Sequence, residues 1–405
     1  MKIAIIGAGA SGFMAAITAK EKNKHAEIDI IEKSKRALIK VKISGGGRCN
    51  VCNHILSTQK LIKNYPRGGN KLKKSFQQFN VNHTINWFKK RKVNLKTEED
   101  KRMFPESNTS QTIVDLFLKS AKKLDIKILY NNKVELISNL ENKVKLKING
   151  KDKYYDKVIL ACGGIPTISG YNWLKPLKLK ILNPVPSLFT FNLKDKEITF
   201  LKGISIKNVT AKIKECKNKQ SGDLLITHWG FSGPAILKLS AWEAENLAIK
   251  NYNFKIQINW ISSNYEETLK NLVKTKKSKK LLENYNPFRL PKRLWNYLLL
   301  KIKVNNKLEW CNLSKKNTNK IINTLVNDEY EIQGKTTFKE EFVTCGGISL
   351  SEIDMNTMKL IKFNNIFAVG ELLNIDGVTG GFNFQAAWTT GFLAGKNCVN
   401  TNISN

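Results

Sequence analysis

Three glycines near the amino terminus, Gly7, Gly9 and Gly12, stand in the spacing G-x-G-x-x-G. An apolar run over residues 2–6 precedes them, and a helix-forming run over residues 13–17 follows. In that order each glycine has a task. The first makes the turn, the second lets backbone approach a pyrophosphate, and the third lets helix pack on strand. The helix N-terminus, with Ala10 and Ser11, then offers N–H donors and partial positive charge to phosphates. A second apolar run, residues 28–31, ends in Glu32 and Lys33; Glu32 lies twenty residues beyond Gly12. At that distance an acid accepts hydrogen bonds from a ribose hydroxyl pair. This chemistry is dinucleotide binding, and the spacing alone does not separate FAD from NAD.

Further polar and glycine clusters follow. Ser44, Gly45, Gly46 and Gly47 lead into Arg48, Cys49 and Asn50, with Lys40 just before. Glycines there allow backbone to wrap closely around a ligand, with a fixed cation beside it. Residues 155–164 read as a strand and tight turn ending in Ala161, Gly163 and Gly164, and Val134 lies in a strand that could offer backbone to an adenine. Near the carboxyl end, residues 363–369 read as a strand, followed by Gly370 and Glu371. Gly380, Gly381, Phe382, Asn383 and Gln385 then introduce a helix over residues 386–397. Its N-terminus is a second place where backbone N–H groups could face a cofactor. With no second G-x-G-x-x-G in the chain, an NAD(P)H electron donor would have to bind transiently, without a nucleotide domain of its own.

Two residues could supply a proton. Cys49 directly follows the glycine cluster and Arg48, and His228 is followed by Gly230 and Gly233, which allow tight approach; a structural role is the competing reading of each. Seven scattered cysteines do not form a disulfide framework, and the Cys49–x–x–Cys52 pair lacks the second ligand pair a zinc site needs, so no metal is expected.

The formal charge of +35 excludes an acidic scaffold and suits polyanionic partners. Only seven of the 68 basic residues are arginines, as a nucleotide-biased genome would also give. Cations interleave with rings over residues 71–76 and 87–92, and over 276–280 with Tyr285, Phe288, Arg289, Arg293 and Trp295 beyond. That pattern makes either an RNA surface or solvated helix faces over a core. No apolar run approaches the roughly 20 residues that span a bilayer, and no signal sequence is visible, so a soluble cytoplasmic protein without a membrane role is expected.

Taken in order, the motifs GAGASG, ISGGGRCN, YPRGG (residues 65–69), RMFP (102–105), THWGFSGP (227–234), TCGG (344–347) and GELLNIDGVTGGFNFQAAW resemble the BaiN/YhiN-like family of FAD-binding oxidoreductases over nearly the whole chain. The resemblance implies an α/β protein. A two-part Rossmann-like FAD-binding domain, residues 1–184 and 341–405, would be interrupted by an inserted β-rich domain, residues 185–340, with a helical part at about 265–324. It implies FAD as cofactor, NAD(P)H as donor and Cys49, His228 and Arg48 at the reacting centre. It also implies reduction of an activated C=C bond or oxidation of an amine; one branch makes dihydrouridine in large-subunit ribosomal RNA. Departures at Ile39, Lys101, residues 165–171 and residues 358–361 touch loops that bear on substrate choice.

Three readings remain open at this point: an RNA-directed uracil reductase, a small-molecule ene-reductase or amine oxidase, and a flavin-bearing RNA-binding protein without turnover. A thiol–disulfide role for Cys49 and Cys52 is a fourth.

Overall fold

The computed structural model describes residues 1–336 and 343–400. Two compact units result, Met1–Ser187 with Lys339–Asn405, and Leu188–Phe338. The expected return to the first domain at residue 341 lies outside the described residues.

The first unit is built on a seven-stranded sheet. Its order is Ile353–Asp354, Lys359–Leu360, Ile366–Ala368, Lys157–Leu160, Lys2–Ile6, Glu27–Ile31 and Lys127–Leu129. The last five run parallel. Strands covered on both faces read as continuous apolar runs, and Ile3, Ala4, Ile5, Ile28, Ile30, Val158, Ile159 and Leu160 are buried. The chain leaves strand Lys2–Ile6 for Glu27–Ile31 on one side, while Lys157–Leu160 flanks it on the other. That reversal is the topological switch point, where open α/β sheets bind ligands beyond the carboxyl ends of their strands.

Two helices cover the sheet beside that point. Ala10–Lys22 is buried along most of its length, and Phe382–Cys398 packs directly on it. Small residues permit the close approach. A Cβ at Gly391 would lie 2.5 Å from the Ser11 carbonyl oxygen, and one at Gly395 would collide with that of Ala15. Trp388 stacks on Phe117 with ring centroids 5.4 Å apart and donates its indole N–H to the Val51 carbonyl at 2.9 Å. The buried indole is thereby both packed and hydrogen-bonded.

The second unit is a closed six-stranded barrel of Thr190–Leu193, Gly230–Ser232, Lys219–Ile226, Ser205–Ile213, Asn253–Asn259 and Asp328–Thr336. Closure leaves no sheet edge. Alternate residues point inward, so Phe191, Leu224, Phe231, Ile256 and Ile258 fill its core. Helices Tyr265–Thr275, Lys292–Lys301 and Lys315–Val326 form the helical part and bury Leu272, Trp295, Leu298 and Ile322. Among the described residues no helix is long and apolar enough to cross a membrane.

Candidate functional site

Gly7 ends the first strand with φ +114, and a Cβ there would lie 2.8 Å from the Ala161 carbonyl carbon. Gly12 faces the Gly7 carbonyl so closely that any side chain would collide with it. Both glycines are therefore demanded by the chain's own packing. Gly9 is different. It caps helix Ala10–Lys22 with an ordinary φ of −96, and a Cβ there would meet nothing within 4 Å. Protein packing gives no reason for glycine at this position, whereas a phosphate approaching the backbone does. No acidic side chain sits in the helix's first turn and none caps it, so its leading N–H groups and dipole remain available to an anion.

Glu32 emerges at the end of the neighbouring strand. One carboxylate oxygen accepts the Ala8 N–H at 2.9 Å, and the other accepts the Ser34 N–H at 2.9 Å and its hydroxyl at 2.7 Å. A carboxylate has about four acceptor positions, so one remains for a ribose hydroxyl. Lys33 is exposed beside it, and Val134 opens the separate three-stranded sheet of residues 134–155.

The glycine cluster closes from a third direction. Helix Ile39–Gly47 breaks at Ser44, and Gly45, Gly46 and Gly47 take φ of +59, +67 and +82. Gly46 and Gly47 have nothing within 4 Å, while Gly45 is pressed against Asn50 and Phe104. Ala161, Gly163 and Gly164 follow strand Lys157–Leu160; Gly163 (φ +73) also faces open space. A Cβ at Gly164 would lie 2.5 Å from Thr344 Oγ1 and 2.6 Å from Glu371 Oε1. Thr344 Oγ1 is buried without a partner among the described residues. Gly370 (φ +69) donates its N–H to Thr390 at 3.0 Å, which ties this turn to the terminal helix. Gly380 and Gly381, with φ +127 and +90, bring the uncapped start of helix Phe382–Cys398 to the same region. Gly381 passes so near Cys52 that a Cβ would lie 2.6 Å from its carbonyl carbon. With the Asn50 amide turned to satisfy both ends, its oxygen accepts the Gly381 N–H at 3.1 Å. Gly9 and Gly163 in open space, a free acceptor on Glu32 and two uncapped helix starts fit a dinucleotide.

Several side chains expected at a ligand are committed elsewhere. Lys40 reaches the Glu371 carboxylate at 2.9 Å instead of standing free for a phosphate. Arg48 pairs with Glu98 at 2.6 Å and lies over the Phe104 ring at 4.0 Å. Asn383 exchanges two hydrogen bonds with the Gly377 backbone, at 2.8 and 2.9 Å. Gln385 is buried, its amide bonded to the hydroxyls of Thr84 and Thr389 at 3.0 and 3.1 Å. Sequence spacing placed these residues near the glycines correctly along the chain. It carried no information on which partner each side chain would find.

The fold encloses Cys49. Its side chain has 0% exposure, its backbone has φ +61, and burial pushes its thiol up to about 12. Cys52 is buried too, raised by burial and by Cys49, and its sulfur lies 3.5 Å from that of Met103. Both are free thiols shut off from solvent, unlike the exposed, low-pKa cysteine of an exchange site. His228 belongs to the second unit. It is exposed on a turn locked by Thr227, whose N–H donates to the Gly230 carbonyl at 2.8 Å and whose hydroxyl accepts the Gly230 N–H at 3.1 Å.

One buried cluster escaped the sequence reading. Arg67 donates from Nε to Asp376 at 2.6 Å and from Nη2 to its other oxygen, which also accepts the Ser187 hydroxyl at 2.7 Å. Only the sequence motifs around Arg67 and Asp376 hinted at it; 309 residues separate the two. Most aromatics of the basic stretches are core as well. Phe76, Trp87, Phe88 and Trp295 are buried, and Arg91 is held between the Trp87 ring, 3.8 Å away, and Glu21. Among the described residues no cluster could hold a metal.

The family model described as HI0933-like protein Rossmann domain matches residues 1–397. A 3-dehydro-bile acid delta(4,6)-reductase of Clostridium scindens is 25% identical over 98% of each chain. A ribosomal RNA dihydrouridine synthase of Haemophilus influenzae is 25% identical over 96% of each. Among solved structures, 3-ketosteroid delta1-dehydrogenase from Sterolibacterium denitrificans superposes with a TM-score of 0.51 at 11% identity, over 98% of each chain, a likeness of fold. With a matching switch point, glycine cradle and family model, the chain belongs to the HI0933-like Rossmann family and is an FAD-dependent oxidoreductase.

Proposed function

We propose that this enzyme saturates an activated carbon–carbon double bond, and that its substrate is a uracil in large-subunit ribosomal RNA. The observation that carries the cofactor half is Gly9, a glycine that nothing in the protein requires and that a pyrophosphate does. Gly7, Gly12, Ala10 and Ser11 shape that contact, Glu32 takes the ribose, and residues 44–47, Gly163, Gly164, Gly370 and Glu371 line the remainder. Gly380, Gly381 and Phe382 aim a helix start at it, where partial positive charge favours an anionic reduced ring. Bound FAD supplies the hydride chemistry, with NAD(P)H as its donor.

The substrate half rests on the relatives and on charge. The two curated relatives, at 25% identity each, carry names that both describe adding hydrogen across C=C bonds. The net charge of +35 favours the polyanion over the steroid. Reduction of uracil needs hydride at one ring carbon and a proton at its neighbour. Cys49 and His228 are the candidates to hold and deliver that proton.

The test is anaerobic single-turnover oxidation of the reduced flavoenzyme, with and without protein-free large-subunit ribosomal RNA. Fast reoxidation with new dihydrouridine is expected, and of Cys49→Ala and His228→Ala the variant slowed at least tenfold identifies the proton donor. Reoxidation by a soluble enone, with RNA inert, would overturn the RNA reading in favour of a small-molecule reductase.

A further inference from the structure

The positive charge is not spread evenly through the second unit. Residues 265–320 hold fifteen lysines and arginines against four glutamates, and five lysines fall within residues 274–280 alone. The barrel treats its cations differently. Lys194 and Lys255 pair with Glu331, Lys214 with Glu329, and Lys250 with Glu215. Of the fifteen in the helical part only Lys301 has an ion-pair partner among the described residues, buried Asp328 at 2.6 Å. Codon bias can supply lysines. It does not explain why the barrel, residues 188–264 and 328–336, sets nine acids among twelve lysines while the helical part sets four among fifteen cations.

The fold also gathers them. Residues 278–283 run antiparallel to 306–311. Cys311 N–H donates to the Ser278 carbonyl at 3.0 Å, Trp310 to Lys280 at 3.1 Å, and Leu282 to Leu308 at 2.9 Å. Beneath this ribbon Trp295 and Trp310 stack at 6.1 Å, and their indoles donate to the carbonyls of Leu282 and Tyr285. The ribbon is thus fixed from below while Lys277, Lys279, Lys280 and Lys307 stay exposed along it. Lys280 Nζ stands 5.1 Å from the centroid of the Tyr285 ring, which is 36% exposed. Exposed cations along a fixed ribbon beside one accessible ring suit a phosphate chain with a base to stack.

We infer that this ribbon, residues 276–285 with Lys307, is the surface that holds the RNA backbone. The inference deepens the RNA-reductase reading and rests on it. A bilayer surface is served less well, because Leu272, Leu282, Trp295 and Trp310 are buried, which leaves Val273 and Tyr285 as the exposed apolar side chains beside the lysines, too few to insert.

The test uses the full-length FAD-loaded enzyme and a fluorescein-labelled transcript of protein-free large-subunit ribosomal RNA. Binding is measured between 50 and 200 mM salt for wild type, for Lys277→Glu/Lys279→Glu/Lys280→Glu, and for a control of equal charge change, Lys119→Glu/Lys122→Glu/Lys123→Glu in the first unit. The ribbon variant is expected to lose affinity at least tenfold and its log–log salt slope to fall by about two to three. The control should change affinity less than threefold, and flavin absorbance should be unaltered in both. Equal losses in ribbon and control variants would overturn the inference and leave the charge as diffuse attraction. Capture by phosphatidylglycerol vesicles, lost in the ribbon variant while wild type ignores RNA, would overturn it in favour of a membrane surface. Dihydrouridine formed equally by wild type and ribbon variant would sink the ribbon and leave the reductase reading standing. RNA held by the ribbon without dihydrouridine would do the reverse.

Discussion

Arg67 and Asp376 form a bidentate ion pair in which the carboxylate is wholly buried and the guanidinium nearly so. The pair joins the loop after residue 64 to the turn that precedes helix Phe382–Cys398. Tyr65, two residues earlier, donates its hydroxyl to the Phe382 carbonyl at 2.7 Å. The start of the terminal helix is therefore anchored by side chains some 310 residues away in sequence.

Breaking that anchor strands a charge. Arg67→Ala should lower stability by about 3–5 kcal/mol, since Asp376 would be left buried without its counter-ion. Adding Asp376→Asn should recover part of the loss by removing the stranded charge. Urea unfolding of the single and double variants reads both effects, and full additivity would show that the two residues do not act as a pair.

Gly9 and Gly12 should separate under the same substitution. Gly12→Ala collides with the Gly7 carbonyl and should cost about 1–3 kcal/mol of folding stability. Gly9→Ala meets no protein atom, so the apoprotein should melt at the wild-type temperature while FAD affinity falls at least tenfold. Calorimetry of apoprotein and flavin fluorescence titration measure the two separately.

Gln385 should behave as a core residue. Gln385→Leu removes the acceptor of the buried Thr84 hydroxyl at a cost of about 1–3 kcal/mol, while Thr389 keeps its bond to the Phe79 carbonyl. Absorbance of the bound flavin should not move. A shifted flavin spectrum in a normally stable variant would return Gln385 to the ligand.

The buried thiols set an alkaline limit. Burial raises Cys49 and Cys398 each from an ordinary 9.0 to about 12. The unfolded chain therefore ionises first, and the stability these thiols contribute is complete below pH 9 and lost as pH rises towards 12. Urea midpoints should fall between pH 8.5 and 10.5, and less steeply in Cys49→Ala. Exposed Cys311 should be alkylated by iodoacetamide in the native protein long before Cys49 or Cys52.

Much of this was legible without coordinates. A G-x-G-x-x-G between an apolar and a helical run, with an acid twenty residues on, is local information, because turn, cap and ribose contact all lie within one β–α–β unit. The later strands near residues 160 and 366 and the terminal helix could be read for the same reason. They appear as Lys157–Leu160, Ile366–Ala368 and Phe382–Cys398. The basic stretches were visible as composition, but whether their rings face solvent or core was not. Trp87 and Trp295 look alike in sequence to an exposed stacking ring, and only packing shows them buried.

Sequence by itself determined the class: a dinucleotide-binding α/β unit, its glycines, its acid and an overwhelming positive charge. Tertiary structure decided how each polar side chain is spent. It gave Lys40 to Glu371, Arg48 to Glu98 and Gln385 to Thr84, and it closed Cys49 off from solvent. The reason is range. Backbone turns are settled by neighbours a few residues apart, whereas a buried side chain takes whichever partner the folded chain brings within about 3 Å.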